Sequence, residues 1–289
     1  QGKTDYVLIF DADDRFEGNF VLPEELTSDR YYLRMANSVT GANVYFRTLM
    51  FRNDGSFYWR GVLHEFVEQR KKTIVEQKIF GDYYVISGRF GARSNNPQKY
   101  FQDAQVLEKA FYSPEDEDLK DRYAFYTAQS YRDADMYEKA IEWYAIRANL
   151  GGWSEEVYYS FLQIALLKIE LNASLNEIQN LLLSTYEYRP QRAESLYHLA
   201  RLLRHNNKAR LAYIYATVAA NIPLSKDILF VDHSVYEWKA KEELAMSANS
   251  VGNYQLCHDL CIELLFNPAV PEQNRKLLLD NLKLAKEHL

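Results

Sequence analysis

Long apolar runs, a disulfide framework and basic stretches are what this chain lacks. No uninterrupted apolar run reaches the roughly 18 residues that a membrane-spanning helix needs, and the opening residues show no signal-peptide pattern. The 289 residues include two cysteines, Cys257 and Cys261. Lying four apart in a helical stretch, they share a face and exclude a conventional disulfide framework, so a reducing, cytoplasmic setting is expected. No lysine- or arginine-rich run offsets the formal charge of -6, which excludes a duplex nucleic-acid surface among the partners. An initial methionine is also missing: after Gln1-Gly2-Lys3-Thr4-Asp5 the chain enters Tyr6-Val7-Leu8-Ile9-Phe10, an apolar run fit for a buried parallel strand. Such a strand needs neighbours, so the expectation is either a chain cut from a longer protein or an incomplete reading frame, with the preceding sheet absent.

What is present is 47% apolar residues, enough to bury one large or two modest cores. From Asn96 onward the chain aligns with itself in one register, with small or apolar residues at a first position and then three, nine, twelve and sixteen residues later. The windows are Ala128, Tyr131, Tyr137, Ala140, Tyr144; a poorer Ala165, Lys168, Ser174, Glu177, Leu181; Ala200, Leu203, Ala209, Ala212, Ala216; and Ala245, Ala248, Tyr254, Cys257, Cys261. Their starting points lie 37, 35 and 45 residues apart, against about 34 for a regular tetratricopeptide (TPR) unit. Small side chains let two antiparallel helices approach, and larger ones fill the holes between successive pairs. Asp133-Ala134-Asp135 and Ser250-Val251-Gly252-Asn253 supply turns. The long last interval holds an insertion from Asn221 to Trp238, with Phe230 and Trp238 expected to buttress it. Pro271 to Leu289 reads as a capping helix.

The 23 tyrosines suit repeat packing, with a peptide-binding face as the sharper alternative. Cys257, His258 and Cys261 suit a packed core better than a metal site, since a closed zinc site takes four ligands. Asn172-Ala173-Ser174 matches a glycosylation sequon by chance in a repeat turn.

The first ninety-five residues have a different texture, with short β-like runs at Tyr6–Phe10, Tyr31–Met35, Asn43–Phe51, Phe66–Glu68 and Tyr83–Ser87, and a turn at Arg52-Asn53-Asp54-Gly55. The fold class expected is α+β: an α/β unit over 1–95 followed by an all-α TPR-like helical array over 96–289. Asp11-Ala12-Asp13-Asp14 follows the first strand, where ligands sit in open α/β sheets, and three carboxylates there repel unless a cation intervenes. Hard oxygen ligands suit Mg²⁺ or Mn²⁺. His64-Glu65 offers an imidazole and a carboxylate base, or a structural pair.

Four segments together resemble the family 2 glycosyltransferases of the GT-A fold, in bacterial and large-virus members that carry C-terminal TPR repeats. They are Tyr6-Val7-Leu8-Ile9-Phe10-Asp11-Ala12-Asp13-Asp14, Trp59-Arg60-Gly61-Val62-Leu63-His64-Glu65, Ser87-Gly88-Arg89-Phe90-Gly91-Ala92-Arg93-Ser94, and Arg189-Pro190-Gln191-Arg192-Ala193-Glu194-Ser195-Leu196-Tyr197. The resemblance implies a metal-dependent, inverting transfer of sugar from a nucleotide-sugar to a saccharide, protein or peptide acceptor. Asp11 would lie near the nucleotide and metal, Asp13 and His64 would hold Mg²⁺ or Mn²⁺, and Glu65 would be the base, with Asp14 its rival. Arg89 and Arg93 would neutralise phosphate. Such enzymes place roughly a hundred residues before the Asp-x-Asp strand, so 1–95 would be the C-terminal half of the catalytic domain, inactive alone. The alternative is a non-catalytic interaction module whose repeat groove binds a partner peptide.

Overall fold

The computed structural model describes residues 4–36, 45–87 and 96–289. Arg89 and Arg93 lie outside the described residues. The chain forms two compact units, Gln1–Ala134 and Asp135–Leu289.

In the first unit, alternating apolar residues build a six-stranded mixed sheet. The strands are β1 (Tyr6–Leu8), β2 (Arg15–Gly18), β3 (Arg30–Ala36), β4 (Tyr45–Arg52), β7 (Glu76–Lys78) and β8 (Tyr83–Ile86), in the order β1-β4-β3-β8-β2 with β7 also on β3. A separate hairpin joins β5 (Phe57–Arg60) to β6 (Phe66–Gln69). Tyr31, Leu33 and Met35 of β3 point to one face, the period-two consequence of the pleat, and meet Leu49, Ile79, Tyr83 and Val85 in a closed core. The expected strands at Tyr31, Asn43, Phe66 and Tyr83 thus appear with small shifts of bounds, while β2, β5 and β7 were not anticipated.

The opening run differs from its expectation. β1 is a three-residue edge strand antiparallel to β4, and Leu8 keeps 42% of its surface exposed. An apolar run states that a strand has a hydrophobic side but not which direction its neighbour runs. Phe10 stacks on Phe16 at 4.9 Å, and Phe16 on Phe20 at 4.4 Å, so aromatic stacking satisfies this segment in place of a second parallel strand.

Two helices, α1 (Lys99–Phe111) and α2 (Lys120–Asp133), complete this unit. Leu63 and Phe66 of the β5–β6 hairpin pack against Leu107, Ala110, Leu119 and Tyr123. Arg60 forms ion pairs with Asp116 at 3.1 Å and Asp118 at 2.7 Å. The first unit therefore extends past residue 95, because the hairpin tip and the first helix pair share one core.

The second unit contains α3 (Tyr137–Leu150), α4 (Ser154–Glu170), α5 (Leu175–Tyr188), α6 (Glu194–His205), α7 (Ala209–Asn221), α8 (Ala240–Ser250), α9 (Tyr254–Leu265) and α10 (Glu272–Lys286). A five-residue π-helical turn, Val235–Lys239, leads into α8. The repeat register holds: Ala128, Ala140, Ala165, Ala200, Ala212, Ala216, Ala245, Ala248, Cys257 and Cys261 are fully buried. In the second repeat the polar residues at the third and twelfth steps, Lys168 and Glu177, pair at 2.7 Å, so an ion pair bridges α4 and α5. The cysteines are free, buried in the core with sulfurs 4.0 Å apart. Trp238 is buried as a buttress, whereas Phe230 is half-exposed and leans on Tyr159 at 4.8 Å.

The turns repeat as strictly as the core. Seven residues after each repeat's first alanine the backbone turns left-handed, at Asp135 (φ 57°), Asn172 (φ 53°), Asn207 (φ 58°) and Gly252 (φ 79°). Aspartate, asparagine and glycine tolerate this region best, and the bonds from Ala173, Lys208 and Asn253 N–H to Lys168, Leu203 and Ala248 O close three of the turns. Asn172 thus has a backbone role, and Ser174 caps α5 by accepting from Glu177 N–H. Replacing Asn207 by Val is expected to lower unfolding stability by about 1–2 kcal/mol in urea titration, since a β-branched residue resists φ > 0, whereas Asn207→Gly stays within about 0.5 kcal/mol of the parent. Equal losses in both variants would remove the turn from the account of the repeat.

Candidate functional site

In the first unit, the acidic segment crosses from one edge strand of the sheet toward the other. Asp11 and Asp14 close a turn on each other: Asp14 N–H donates to Asp11 O at 3.0 Å, and Asp11 N–H donates to Asp14 Oδ2 at 3.3 Å. Asp14 Oδ1 is buried without a hydrogen-bond partner; Asp11 is exposed and Asp13 half-buried. His64 sits in the β5–β6 turn with φ 52°, its ring stacked on Tyr126 at 4.0 Å and 10°, and its carbonyl accepts from Arg122. Among the described residues no three His, Cys, Asp or Glu side chains converge to hold an ion. Asp11, Asp13 and His64 thus form no such group among the described residues; the imidazole lies on the Tyr126 ring, and the Asp14 carboxylate accepts within its own turn. Glu65 lines a cleft of about 340 Å³ with Ile9, Trp59, Phe66 and Val67. That cleft brings the end of the opening run beside the second motif.

The second unit carries a different kind of site. Between the first helices of two successive pairs, α4 and α6, runs a groove of about 510 Å³, lined by Leu166, Ile169 and Glu170 of α4 and by His198, Arg201, Leu202 and His205 of α6. Helical spacing explains the grouping: 198, 201, 202 and 205 fall on one face of α6, while Ala200 and Leu203 point into the core. Burial pushes the half-buried His198 imidazole down to about 4, helped by Arg201 and Lys239. It is neutral at pH 7 and presents one donor and one acceptor.

A buried ionic cluster holds the starts of α4 and α6 and the insertion at 222–234. Arg192 is fully buried and uses all five N–H groups. Its Nε and Nη2 meet Glu194 at 2.7 to 3.1 Å, and its remaining hydrogens reach Asp227 at 3.3 Å and the Leu229 and Phe230 carbonyls at 3.2 and 3.1 Å. Burial opposes the charge of Arg192, but the bonds and field of Glu194 outweigh it and keep the guanidinium above its ordinary value. Arg189 holds Asp227 from the other side at 2.5 Å and donates to Ser154 Oγ at 2.9 Å; its hydrogen bond holds the Asp227 carboxyl below the usual range. Glu155, in the first turn of α4, accepts the Ile228 and Leu229 N–H groups at 2.8 Å each. Arg192 and its partner Glu194 both lie in the segment 189–197, but the other partners, Asp227, Leu229 and Phe230, lie some thirty-five residues away and carry no local signature.

No family model and no curated protein matches the chain. Solved structures similar to it include MamA AMB-1, at 15% identity over 66% of this chain and 89% of that one with a TM-score of 0.38. Another is a MamA RS-1 double mutant at 12% over 64% and 90%, TM-score 0.41. A Podosopora anserina kinesin light chain with nearly identical TPR-like repeats stands at 14% over 67% and 88%, TM-score 0.39. The TPR-like character of this chain stands on its own periodic turns and buried positions.

His198 gives the site a measurable signature. Its folded value lies below the ordinary 6.5, so the unfolded chain takes up the proton first, and the stability this histidine contributes is complete above about pH 6.5 and lost as pH falls toward 4. Ring-proton NMR is expected to show a titration near 4, and His198→Gln should flatten the acid-side loss of stability in that window. A midpoint at 6.5 would place the ring in open water.

Proposed function

We propose that this chain is a protein-interaction module, its helical repeats forming a rigid scaffold on which the groove between α4 and α6 binds an extended segment of a partner protein. One observation carries the reading. Leu166, Ile169 and Leu202 pack on the core of the unit and stand half-buried along the groove, with polar groups between them. Recognition sites have that composition, apolar walls with a few placed polar groups. The cluster around Arg192 pre-organises both walls, which lowers the ordering cost of binding.

A second reading keeps the resemblance to family 2 glycosyltransferases. What supports it is the cleft shared by Ile9, Trp59 and Glu65, in which parts of two distant motifs meet. In that reading the GT-A unit of a parent enzyme transfers sugar from a nucleotide-sugar, with Mg²⁺ or Mn²⁺ as cofactor, Glu65 or Asp14 as base, and the repeats presenting the acceptor. The converging donors for that ion are not among the described residues, so the interaction reading stands first.

Random peptides displayed on phage and selected on the full chain should yield binders whose affinity falls at least about tenfold, or about 1.4 kcal/mol, in Leu202→Arg and Ile169→Arg. Ile214→Arg, on the exposed side of α7, should leave them unchanged. Selected peptides indifferent to both groove variants would refute the groove. The transferase reading instead requires calorimetric binding of a nucleoside diphosphate that needs Mn²⁺ and disappears in Asp13→Ala; binding that persists without metal counts against it.

A further inference from the structure

The groove between α4 and α6 also specifies the charge of what it takes. Arg147, Arg189, Arg192 and Arg204 in the same unit each lie within ion-pair distance of a carboxylate, Glu156, Asp227, Glu194 and Glu243 respectively. Among the described residues no ion pair joins a carboxylate to Arg201, which is exposed, lines the groove, lies beside the Tyr197 hydroxyl and acts on the Glu242 carboxylate. Two imidazoles beside it report the resulting field. His198 is held low first by burial and then by Arg201, against Asp232, with Lys239 and Glu194 adding smaller and opposite effects. His205 is held low by burial, then by Arg204 and Arg201, against Glu243. At both rings Arg201 comes ahead of every carboxylate, so the space between them lies beside a cation. A second cation placed there is repelled, and an anion is attracted.

The geometry is that of a charged centre with apolar flanks. Arg201 stands three residues from His198 and four from His205, so the three side chains form one row along the face of α6. Leu202 lies beside that row, and Leu166 and Ile169 face it from α4. Glu170 borders the groove near the end of α4 and is the one carboxylate lining it. Its position fixes a direction, because an acidic group is disfavoured at that end and favoured at Arg201.

Resting on the interaction reading, we infer that the groove takes an acidic segment of a partner protein, with an aspartate or glutamate carboxylate against Arg201 between His198 and His205, and a neighbouring apolar side chain against Leu166, Ile169 and Leu202. The guanidinium supplies paired N–H donors to the carboxylate, a charge-assisted geometry that a lysine would not reproduce. The imidazoles add donors without adding net charge of their own at neutral pH. Repulsion from Glu170 excludes the reversed register.

The test titrates the full chain, by fluorescence anisotropy, with labelled peptides that share alternating leucines and differ only in the residues between them: aspartate, asparagine or lysine. The aspartate peptide is expected to bind at least about tenfold more tightly than the other two. Arg201→Gln should lower its affinity about tenfold while leaving the asparagine peptide unaffected, and Glu170→Gln should raise it several-fold. Circular dichroism of both variants, unchanged from the parent, keeps the comparison free of unfolding. Equal binding of the aspartate and asparagine peptides, or aspartate binding indifferent to Arg201→Gln, overturns this inference. The interaction reading is judged separately, by phage-selected peptides and the Leu202 and Ile169 variants: if those bind in the groove while the aspartate peptide does not, the inference alone fails.

Discussion

The guanidinium of Arg192 is the constraint on which the second unit depends. A charge removed from water costs several kcal/mol unless every donor is matched, and Arg192 is matched by two carboxylates and two carbonyls. Those partners come from the start of α6 and from residues 227–230, so one side chain fixes a helix terminus and a thirteen-residue connection at once. Arg189 and Glu155 extend the same lattice to the start of α4. Glu155 and Glu194, in the first turns of α4 and α6, also meet the positive ends of their helices. The two walls of the groove therefore begin at one rigid electrostatic node. The surrounding phenols belong to it as well: burial and the Glu194 carboxylate push Tyr158 and Tyr236 up, keeping both as hydrogen-bond donors.

Rigidity at that node has a functional corollary. The helix pairs gain stability from neighbours, through alanines that allow close approach and larger side chains that interlock. Such an array presents surface without rearranging it, and binding energy is not consumed in ordering the site. In the proposed role, the polar groups that face outward on α6 are the ones that select a partner. This division, core alanines at 200 and the outward row at 198, 201 and 205, is a direct product of the 3.6-residue period acting on one twelve-residue helix.

The repeats were legible in the sequence because packing there is local and periodic. Ala128, Ala165, Ala200 and Ala245 mark positions where only a small side chain fits, and every seventh residue after them had to tolerate φ > 0. Even the poorer window was informative, since Lys168 and Glu177 replace apolar contact with an ion pair. Five of the eight strands were legible from their apolar runs, but the short β2, β5 and β7 and the pairing directions were not. Tyr6–Phe10 carries no mark that its neighbour is the antiparallel β4. The motif residues His64 and Glu65 were visible, yet the stacking of His64 on Tyr126 joins positions sixty-two residues apart and cannot be read from spacing. The distant Arg192 partners, Asp227, Leu229 and Phe230, are hidden on the same ground, whereas the helical spacing of the groove row on α6 was available in the sequence.

Amide hydrogen exchange on the full chain carrying Arg192→Met tests this picture most directly. With the guanidinium gone, Glu194 is left buried without its main partner and Asp227 keeps only Arg189, at a cost of about 3–5 kcal/mol. Exchange should accelerate in 222–234 and in the first turns of α4 and α6, while α9 and α10 keep their protection. If protection in 222–234 and at both helix starts matches that of the parent, the node does not organise the groove, and the physical basis for a pre-formed recognition site is contradicted.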